Sequence, residues 1–360
     1  MVVIFVRNKT YSPSCYYRII QYIEENEFVL VSEFSLDIYY KSKRTPDIIK
    51  KLFYGFFPGH FRRIKTLFKL LLKKDYVIFV QREIFPKKIF LLEKFLLKKI
   101  FQKSKKIIWD IDDNIFFNNE ISKSERKLLF NYSTDVISCN DFLLDKFKNS
   151  NILKHKIYTS DRTFENIDLE NINLWRKKIY NETIYIIWVG TKSNKEFLEE
   201  IIPSLDQTAK ILRKYRKKLI LKIVSNFKIL KSYEFLKIQN ISWSRNNAKK
   251  EMLISHIGIM PLKDTEYTRG KCAFKAIQYM SAGLPVIISP VGLNNEVINH
   301  GESGFFAYKK DDWIDYVVLL STKLNIWERV SFNTRLKWEQ SYNTLNIKKK
   351  YYDILGLGGE

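Results

Sequence analysis

Short, strongly apolar runs alternate with longer helix-forming stretches along this chain, and no other feature limits the possible folds as much. Strands of a parallel sheet are buried on both faces and read as such runs, and a helix returns the chain between them. The candidate strands of the first half are 2–6, 28–32, 76–80, 106–112 and 135–139. Those of the second half are 183–190, 219–224, 256–262, 284–289 and 304–308. The pattern predicts an α/β protein with two parallel sheets.

The length and the polar segment 158–182 predict where the chain divides. A chain of 360 residues is long for one ordinary domain and suits two. We therefore expect an N-terminal domain over 1–165, a second domain over 166–340 and a C-terminal helix or tail over 341–360. Open α/β domains bind ligands at the carboxyl ends of their strands, so a pair of them is expected to hold a substrate in the cleft between.

The charge balance is strongly basic, with 62 Lys and Arg against 39 Asp and Glu and a formal net charge of +23. Such an excess suggests a polyanionic partner, which is a nucleic acid, an anionic membrane surface or a phosphate-bearing substrate. Three scattered cysteines (Cys15, Cys139 and Cys272) predict neither a disulfide framework nor a zinc site. The N-terminus lacks the features of a secretory leader, and lysines interrupt every apolar run before it reaches bilayer length. We expect a cytoplasmic protein that rests on a membrane without crossing it.

The most informative stretch is 256–306, in which a helix is predicted from about Lys271 to Gly283. Lys271, Lys275 and Gln278 are spaced to share one face of that helix. Cations at a helix N-terminus oppose the helix dipole, which favours an anion such as a diphosphate between them. The alternative is a solvated basic face on an ordinary helix.

The run YMSAGLPVIISPVGLNNEVINHGESGFF at 279–306 resembles the C-terminal signature of GT-B glycosyltransferases of the group 1 type, family 4. The resemblance extends over most of 183–345. It implies two Rossmann-like domains that face each other across a cleft, with a C-terminal helix that crosses back to the first domain. It also implies retaining transfer of a sugar from a nucleotide-sugar donor held mainly by the C-terminal domain.

The sequence departs from the family's pair of glutamates eight positions apart. Gln278 stands at the second position and Gly270 at the first. Gln278 can still hydrogen-bond ribose hydroxyls, and Asp264 and Glu266 in the preceding loop are candidates for contact with the donor sugar. The upstream unit, which in the family holds the nucleotide base, adds Trp243 to the donor-binding residues.

A second candidate phosphate site is the turn that follows the strand at 183–190. Its donor-binding residues are Gly190, Thr191, Lys192 and Lys195. Ser193 or Asn194 is expected to cap the following helix. The alternative is a simple capped helix start. The turn is neither a GxGxxG nor a Walker motif, which weakens readings as a kinase or a dehydrogenase.

The first half offers acceptor-side candidates. Ser14 and Arg18, in the turn after the first strand, are expected to meet the acceptor or the donor phosphate, although a plain turn explains them as well. Asp110, Asp112 and Asp113 follow a strand and are the catalytic candidates, with one of them acting as general base or orienting the acceptor hydroxyl. Helix capping and metal chelation are the other readings, but the resemblance implies no metal. His60 is the alternative base.

The basic excess concentrates at 61–106 in two amphipathic segments, which either dock on an anionic membrane or simply pack their apolar stripes on the sheet. The leading hypothesis is a glycosyltransferase at the cytoplasmic face of a membrane, acting in surface polysaccharide or glycolipid synthesis. Its donor is a UDP- or GDP-linked sugar and its acceptor a saccharide or a polyprenyl-diphosphate-linked saccharide. The alternatives are a basic nucleic-acid-binding protein and a catalytically idle GT-B scaffold.

Overall fold

The computed structural model describes residues 1–24, 26, 28–42, 45–116 and 120–358. The chain forms two compact units. The first contains Met1–Thr159, the short segment Gly270–Cys272 and the C-terminal segment from Leu345. The second contains Ser160–Arg269 and Ala273–Thr344. Each unit has its own six-stranded parallel sheet, so the predicted α/β class is confirmed.

The first unit has the strand order β2-β1-β3-β4-β5-β6. Its strands are β1 Val2–Val6, β2 Val29–Glu33, β3 Val77–Gln81, β4 Lys106–Ile111, β5 Asp135–Ser138 and β6 Leu153–Lys156. Its helices before the second unit are α1 Pro13–Arg18, α2 Asp37–Lys41, α3 Asp47–Ile49, α4 Phe57–Leu71, α5 Leu91–Lys103, α6 Lys123–Tyr132 and α7 Asp141–Leu144. A π-helix, Lys50–Phe56, leads into α4. The order reverses between β1 and β3, which marks the carboxyl ends of these strands as the place where ligands bind in such sheets.

The second unit has the strand order β12-β11-β10-β7-β8-β9, the arrangement of a dinucleotide-binding sheet. Its strands are β7 Thr183–Val189, β8 Lys218–Ser225, β9 Lys237–Ser242, β10 Ile257–Met260, β11 Val286–Ile288 and β12 Phe305–Phe306. Its helices are α8 Leu169–Tyr180, α9 Lys195–Arg213, α10 Arg245–Leu253, α11 Glu266–Arg269, α12 Phe274–Ser281, α13 Asn294–Val297, α14 Lys310–Thr322 and α15 Leu324–Ser341. Here the order reverses between β7 and β10.

The last helix, α16 Thr344–Leu355, packs on the first unit, as the resemblance implied. The ring of Tyr351 is fully buried and stacks on Tyr22, with ring centroids 5.5 Å apart. The Lys106 ammonium, at the start of β4, donates to the carbonyl of Ile354 over 2.9 Å. Burial of the aromatic face of α16 against the sheet therefore holds the C-terminus on the first unit.

Several predicted elements differ from the observed ones. The polar segment 158–182 contains helix α8, whose N-terminus is capped by the Asp168 carboxylate. The helix predicted from Lys271 begins only at Phe274, because Ala273 adopts a left-handed conformation with φ 48°. Two edge strands, β6 and β9, were not predicted, since their sequences are polar. Over the described ranges, no helix has both the length and the apolar character needed to cross a bilayer.

Candidate functional site

In the second unit, the turn after β7 lies at the point where the strand order reverses. Gly190 is required there, because a Cβ would stand 2.3 Å from the Trp188 ring. Thr191 and Lys192 follow it and are exposed, with Lys192 opening a 3₁₀ turn, Lys192–Asn194. The Lys195 ammonium pairs with Glu199 at 3.0 Å. Asn194, one of the two predicted capping residues, is the N-cap of α9, but its side chain makes no capping hydrogen bond.

The N-terminus of α12 carries a lysine that is largely withdrawn from water. Lys275 lies in the first turn of the helix, two residues after the left-handed Ala273. Its ammonium donates to the neutral amide oxygen of Gln278 over 3.1 Å rather than to a carboxylate. Burial lowers the pKa of Lys275 to about 8, while Asp161 acts in the opposite direction. A desolvated cation beside a helix N-terminus is a favourable environment for an anion.

Gln278 joins this lysine to a residue that the sequence analysis missed. Its side chain is 3% exposed, and its amide nitrogen donates to the Asp161 carboxylate over 2.7 Å. The other oxygen of Asp161 accepts from the backbone N–H of Thr163. The only sequence signal for Asp161 was its place before a short turn, where aspartate often caps. In this structure Gln278 is part of a buried chain with Asp161 and Lys275, and its contact with ribose stays a prediction.

The loop between β10 and α12 contains the two acidic residues predicted for the donor sugar. Asp264 is exposed and accepts two hydrogen bonds from the Arg269 guanidinium, at 2.6 and 2.9 Å. Glu266 begins helix α11. A cavity of about 360 Å³ opens beside this loop, and its lining includes Lys263, Asp264 and Ser289. A tight turn at Gly292, with φ 54°, packs against the backbone of Arg269 and allows no side chain.

Trp243 follows the edge strand β9 and is held by its backbone N–H, which donates to the carbonyl of Ser225 over 3.0 Å. Its side chain is 37% exposed. An accessible indole at a strand end is suited to stacking on a nucleotide base. The role predicted for Trp243 is compatible with this position.

In the first unit, Arg18 and Asp110 pair with each other in the interior. Arg18 is 1% exposed and Asp110 is fully buried, and the guanidinium also donates to the carbonyl of Ile157 over 2.7 Å. The expectation that Arg18 faces a ligand and that Asp110 takes part in catalysis does not fit this burial. The strand-end carboxylate pairs with the helix arginine because a lone charge inside the protein would be far more costly. Ser14 lies on α1 and is half-buried.

Asp112 and Asp113 remain accessible at the end of β4. Their side chains are 10% and 30% exposed, and each lies 3.8 Å from the guanidinium of Arg82. Removal from water and the charge of Asp112 raise the pKa of Asp113 to about 6, against the effects of Arg82 and Lys271. A carboxylate poised in this range can exchange a proton near neutral pH.

The segment Gly270–Cys272 is fastened to the first unit close to these aspartates. The carbonyl of Lys271 accepts from the Asn140 amide over 3.0 Å, and Cys272 Sγ lies 3.1 Å from the carbonyl of Asp112. Cys272 forms a disulfide with Cys139, with the two Cα atoms 5.5 Å apart. The sequence analysis assigned no disulfide. The two cysteines are 133 residues apart in the sequence, so their pairing could not be predicted before the fold was known.

His60, the alternative base, is enclosed rather than accessible. Its Nδ1 pairs with the buried carboxylate of Glu93, and its ring lies 4.2 Å from the Phe56 ring and 5.2 Å from that of Phe85. Because aromatic side chains enclose the ring, we assign His60 a structural role. Within the part of the chain that the structure describes, no group of three or more His, Cys, Asp or Glu side chains is arranged to hold a metal ion.

Comparison with known proteins places this geometry in context. Residues 185–322 match the family model described as glycosyl transferases group 1. None of the curated proteins searched matches the chain. The structure resembles that of HepE from Anabaena in complex with UDP-glucose, with a TM-score of 0.68, 12% identity and 99% of each chain covered.

Two further solved structures show the same fold. HepE from Anabaena in complex with UDP and glucose has a TM-score of 0.65, 11% identity and 99% coverage of each chain. Sucrose-phosphate synthase from Thermosynechococcus elongatus has a TM-score of 0.58 and 11% identity, covering 92% of this chain and 84% of its own. The chain, with one parallel six-stranded sheet in each unit, therefore has the two-domain GT-B fold.

Proposed function

We propose that this chain, a glycosyltransferase of the group 1 type with the GT-B fold, moves a sugar from a UDP- or GDP-linked donor to a saccharide or lipid-linked acceptor with retention of configuration. Residues 166–340 hold the nucleotide sugar and residues 1–165 bind the acceptor. The reaction belongs to surface polysaccharide or glycolipid synthesis. The protein works on the inner face of the cell membrane without crossing it.

The observation that carries the proposal is the ammonium of Lys275 beside the N-terminus of α12. Its pKa is lowered to about 8 by burial, and its hydrogen-bond partner Gln278 is neutral. Binding of a diphosphate would supply the missing negative charge and restore the ordinary pKa of the lysine. The same groups stabilise the nucleoside diphosphate as it leaves, because charge develops there as the glycosidic bond breaks.

Lys192 and Lys271 complete the donor phosphate site in this proposal, with Gly190 and Thr191 offering the close backbone approach. Trp243 stacks on the base. Asp264 and Glu266 contact the sugar, and Asp264 does so by exchanging Arg269 for sugar hydroxyls. With these cations available, we assign no metal to the stabilisation of the leaving group.

We assign to Asp113 the role of accepting the proton from the acceptor hydroxyl. Its pKa of about 6 leaves it ionised at neutral pH yet able to accept a proton. In the step proposed, the acceptor oxygen bonds to the anomeric carbon on the face from which the diphosphate departs, so that the configuration is retained. The bond from that carbon to the diphosphate breaks, its electron pair leaves with the nucleoside diphosphate, and Asp113 takes the hydroxyl proton. Asp112 and Arg82 orient it.

UDP is the donor nucleotide that we favour, since the HepE structures contain UDP or UDP-glucose. A panel of UDP- and GDP-sugars tests this choice, with thermal shift as the measure of binding and released nucleotide as the measure of turnover. We expect at least one donor to stabilise the protein and to be hydrolysed slowly without acceptor. A protein that binds no nucleotide sugar would contradict the proposed function.

The role of Lys275 is tested with Lys275→Met, which removes the charge and keeps the length of the side chain. Loss of a charge-assisted contact of about 1.5–3 kcal/mol predicts donor affinity that is roughly 10- to 100-fold weaker. Lys271→Ala should weaken donor binding several-fold. Lys177→Met is the matched control, because Lys177 pairs with Glu328 on the surface of the second unit. Equal donor affinity in Lys275→Met and the control would remove Lys275 from the site.

A further inference from the structure

Helix α4 places an arginine inside the protein and a stripe of aromatic residues outside. Arg63 is fully buried, and its guanidinium donates to the carbonyls of Ser32 at 2.6 Å, Val6 at 2.7 Å and Ile84 at 3.0 Å. Each of the three guanidinium nitrogens of this buried cation therefore donates to a backbone carbonyl, two of them on strands β1 and β2. The expectation that an apolar stripe of this segment packs inward holds for Leu67 and Leu70, which are buried in the core. Arg63 shares that inner face, and further apolar residues of the helix lie on the outside.

The outward stripe of α4 has the spacing of one helix face. It consists of Phe57, Phe61, Phe68 and Leu72, which follow one another at intervals of four, seven and four residues. Their exposed fractions are 55%, 69%, 49% and 90%. Single exposed apolar residues are ordinary, but four on one face form a surface that normally has a partner.

Neighbouring segments add further exposed apolar residues beside the start of this stripe. The Phe53 ring of the π-helix is 63% exposed and lies 5.9 Å from that of Phe57. The Phe56 ring lies 6.0 Å from that of Phe90, which leads into α5. At the start of α5, Leu91 and Phe95 are 86% and 57% exposed. We define the aromatic face as seven of the exposed apolar residues of these three segments, namely Phe53, Phe57, Phe61, Phe68, Leu72, Leu91 and Phe95.

Basic residues far outnumber acidic ones in the segment 61–106, which carries most of the aromatic face. The acidic residues of 61–106 are Asp75, Glu83 and Glu93. Glu83 and Glu93 are 2% and 1% exposed, whereas Asp75 is exposed. Lysines lie directly on the apolar rings, with the Lys88 ammonium 5.1 Å from the Phe90 centroid and that of Lys99 5.7 Å from the Phe95 centroid.

We infer that the aromatic face docks on the surface of an anionic phospholipid bilayer. Phenyl rings and leucines enter the boundary between headgroups and acyl chains, and the lysines around them meet lipid phosphates. Interleaved aromatic and cationic side chains suit a lipid surface, because its acyl chains and its phosphate groups lie within one side-chain length of each other. This inference deepens the proposed function by naming the surface of the first unit that contacts the membrane.

The full chain is tested by co-sedimentation with vesicles of phosphatidylcholine alone and of phosphatidylcholine with 30% phosphatidylglycerol. We expect at least tenfold stronger partitioning onto the anionic vesicles and a steep loss of binding at 0.5 M salt. Phe61→Ser/Phe68→Ser should weaken partitioning roughly tenfold or more, since two large apolar side chains no longer enter the interface. Phe332→Ser/Leu336→Ser is the matched control, with two exposed apolar residues of α15 in the second unit.

Vesicle binding is measured without any sugar transfer, so its outcome is independent of the proposed reaction. Unchanged melting temperature and donor binding in Phe61→Ser/Phe68→Ser would show that the variant is folded. Lys65→Gln/Lys69→Gln should lower binding to anionic vesicles only. Failure of the wild-type chain to bind anionic vesicles would overturn the inference. Equal vesicle binding by Phe61→Ser/Phe68→Ser and by the control Phe332→Ser/Leu336→Ser would overturn it as well. A concentration-dependent dimer that the Phe61→Ser/Phe68→Ser variant loses would instead assign the face to a second copy.

Discussion

Gly270 lies directly against Asn114, and a Cβ on residue 270 would stand 2.8 Å from the Asn114 Cβ. Asn114 follows the catalytic candidates Asp112 and Asp113 and is fully buried. Position 270 is the place at which the family signature carries its first glutamate. The contact explains why this chain has a glycine there, since the backbone at position 270 lies too close to Asn114 for a side chain.

Substitution of Gly270 should therefore be costly for steric reasons. We expect Gly270→Ala to destabilise the protein by about 1–3 kcal/mol, the usual cost of overpacking a filled site. Urea unfolding measures this change. In the background of Asn114→Gly, which removes the opposing Cβ, the same substitution should cost clearly less. Equal costs in both backgrounds would show that the contact with Asn114 is not the cause.

Asp110 and Asp113 lie three residues apart and should respond differently to the same substitution. Asp110→Asn leaves the buried Arg18 without its counter-charge, so we expect a loss of about 3–5 kcal/mol in the free energy of unfolding. Asp113→Asn, at a half-exposed position, should change stability little and lower turnover by roughly 10²- to 10⁴-fold. Denaturant titration and nucleotide release separate the two effects. A stable but inactive Asp110→Asn variant would return Asp110 to the catalytic candidates.

The central strands of both sheets could be predicted from sequence because they are buried on both faces. The run at 76–80 corresponds to β3 and that at 183–190 to β7. The edge strands β6 and β9 could not be predicted, since one side of an edge strand is free to be polar. Their Lys, His, Gln and Asn residues interrupt the apolar runs that mark a buried strand. Gly283 ended α12 as predicted, with φ 65°.

The candidate site could be predicted only in part from the sequence, for a different reason. The spacing of the lysines predicted a helix that begins at Lys271. In the structure, the left-handed backbone at Ala273 separates Lys271 from the helix that carries Lys275. A left-handed alanine has no compositional signal, because alanine ordinarily favours the helix. The orientation of α4 was also hidden, since apolar side chains occur on both its faces. In the structure, the buried Leu67 and Leu70 and the carbonyls that accept from Arg63 mark the internal face.

The pH dependence of turnover should report Asp113 and Lys275 together. Asp113 must be ionised, so kcat/KM is expected to fall as the pH drops below about 6. Lys275 must be protonated to hold the diphosphate, so kcat/KM is expected to fall as the pH rises above about 8. The predicted profile is a bell with limbs near these values.

Variants assign the two limbs of that profile. Asp113→Asn should abolish the acidic limb and Lys275→Met the alkaline one, each with lower overall activity. Measurements of kcat/KM between pH 5 and 9.5 with a saturating acceptor are sufficient. An alkaline limb that persists in Lys275→Met would mean that another group, and not Lys275, titrates there.

The disulfide between Cys139 and Cys272 ties the segment that carries Lys271 to the end of β5. A cross-link that closes so long a loop typically contributes about 2–4 kcal/mol, chiefly by restricting the unfolded chain. We expect a non-reducing peptide map to show Cys139 joined to Cys272 and Cys15 free, and dithiothreitol to lower the urea midpoint. Cys15→Ala should retain this sensitivity to dithiothreitol and Cys139→Ala should lose it. Three thiols that alkylate equally in the unfolded, unreduced protein would contradict the bond. In that case the hydrogen bond from Asn140 to the carbonyl of Lys271 would remain to hold the segment in place.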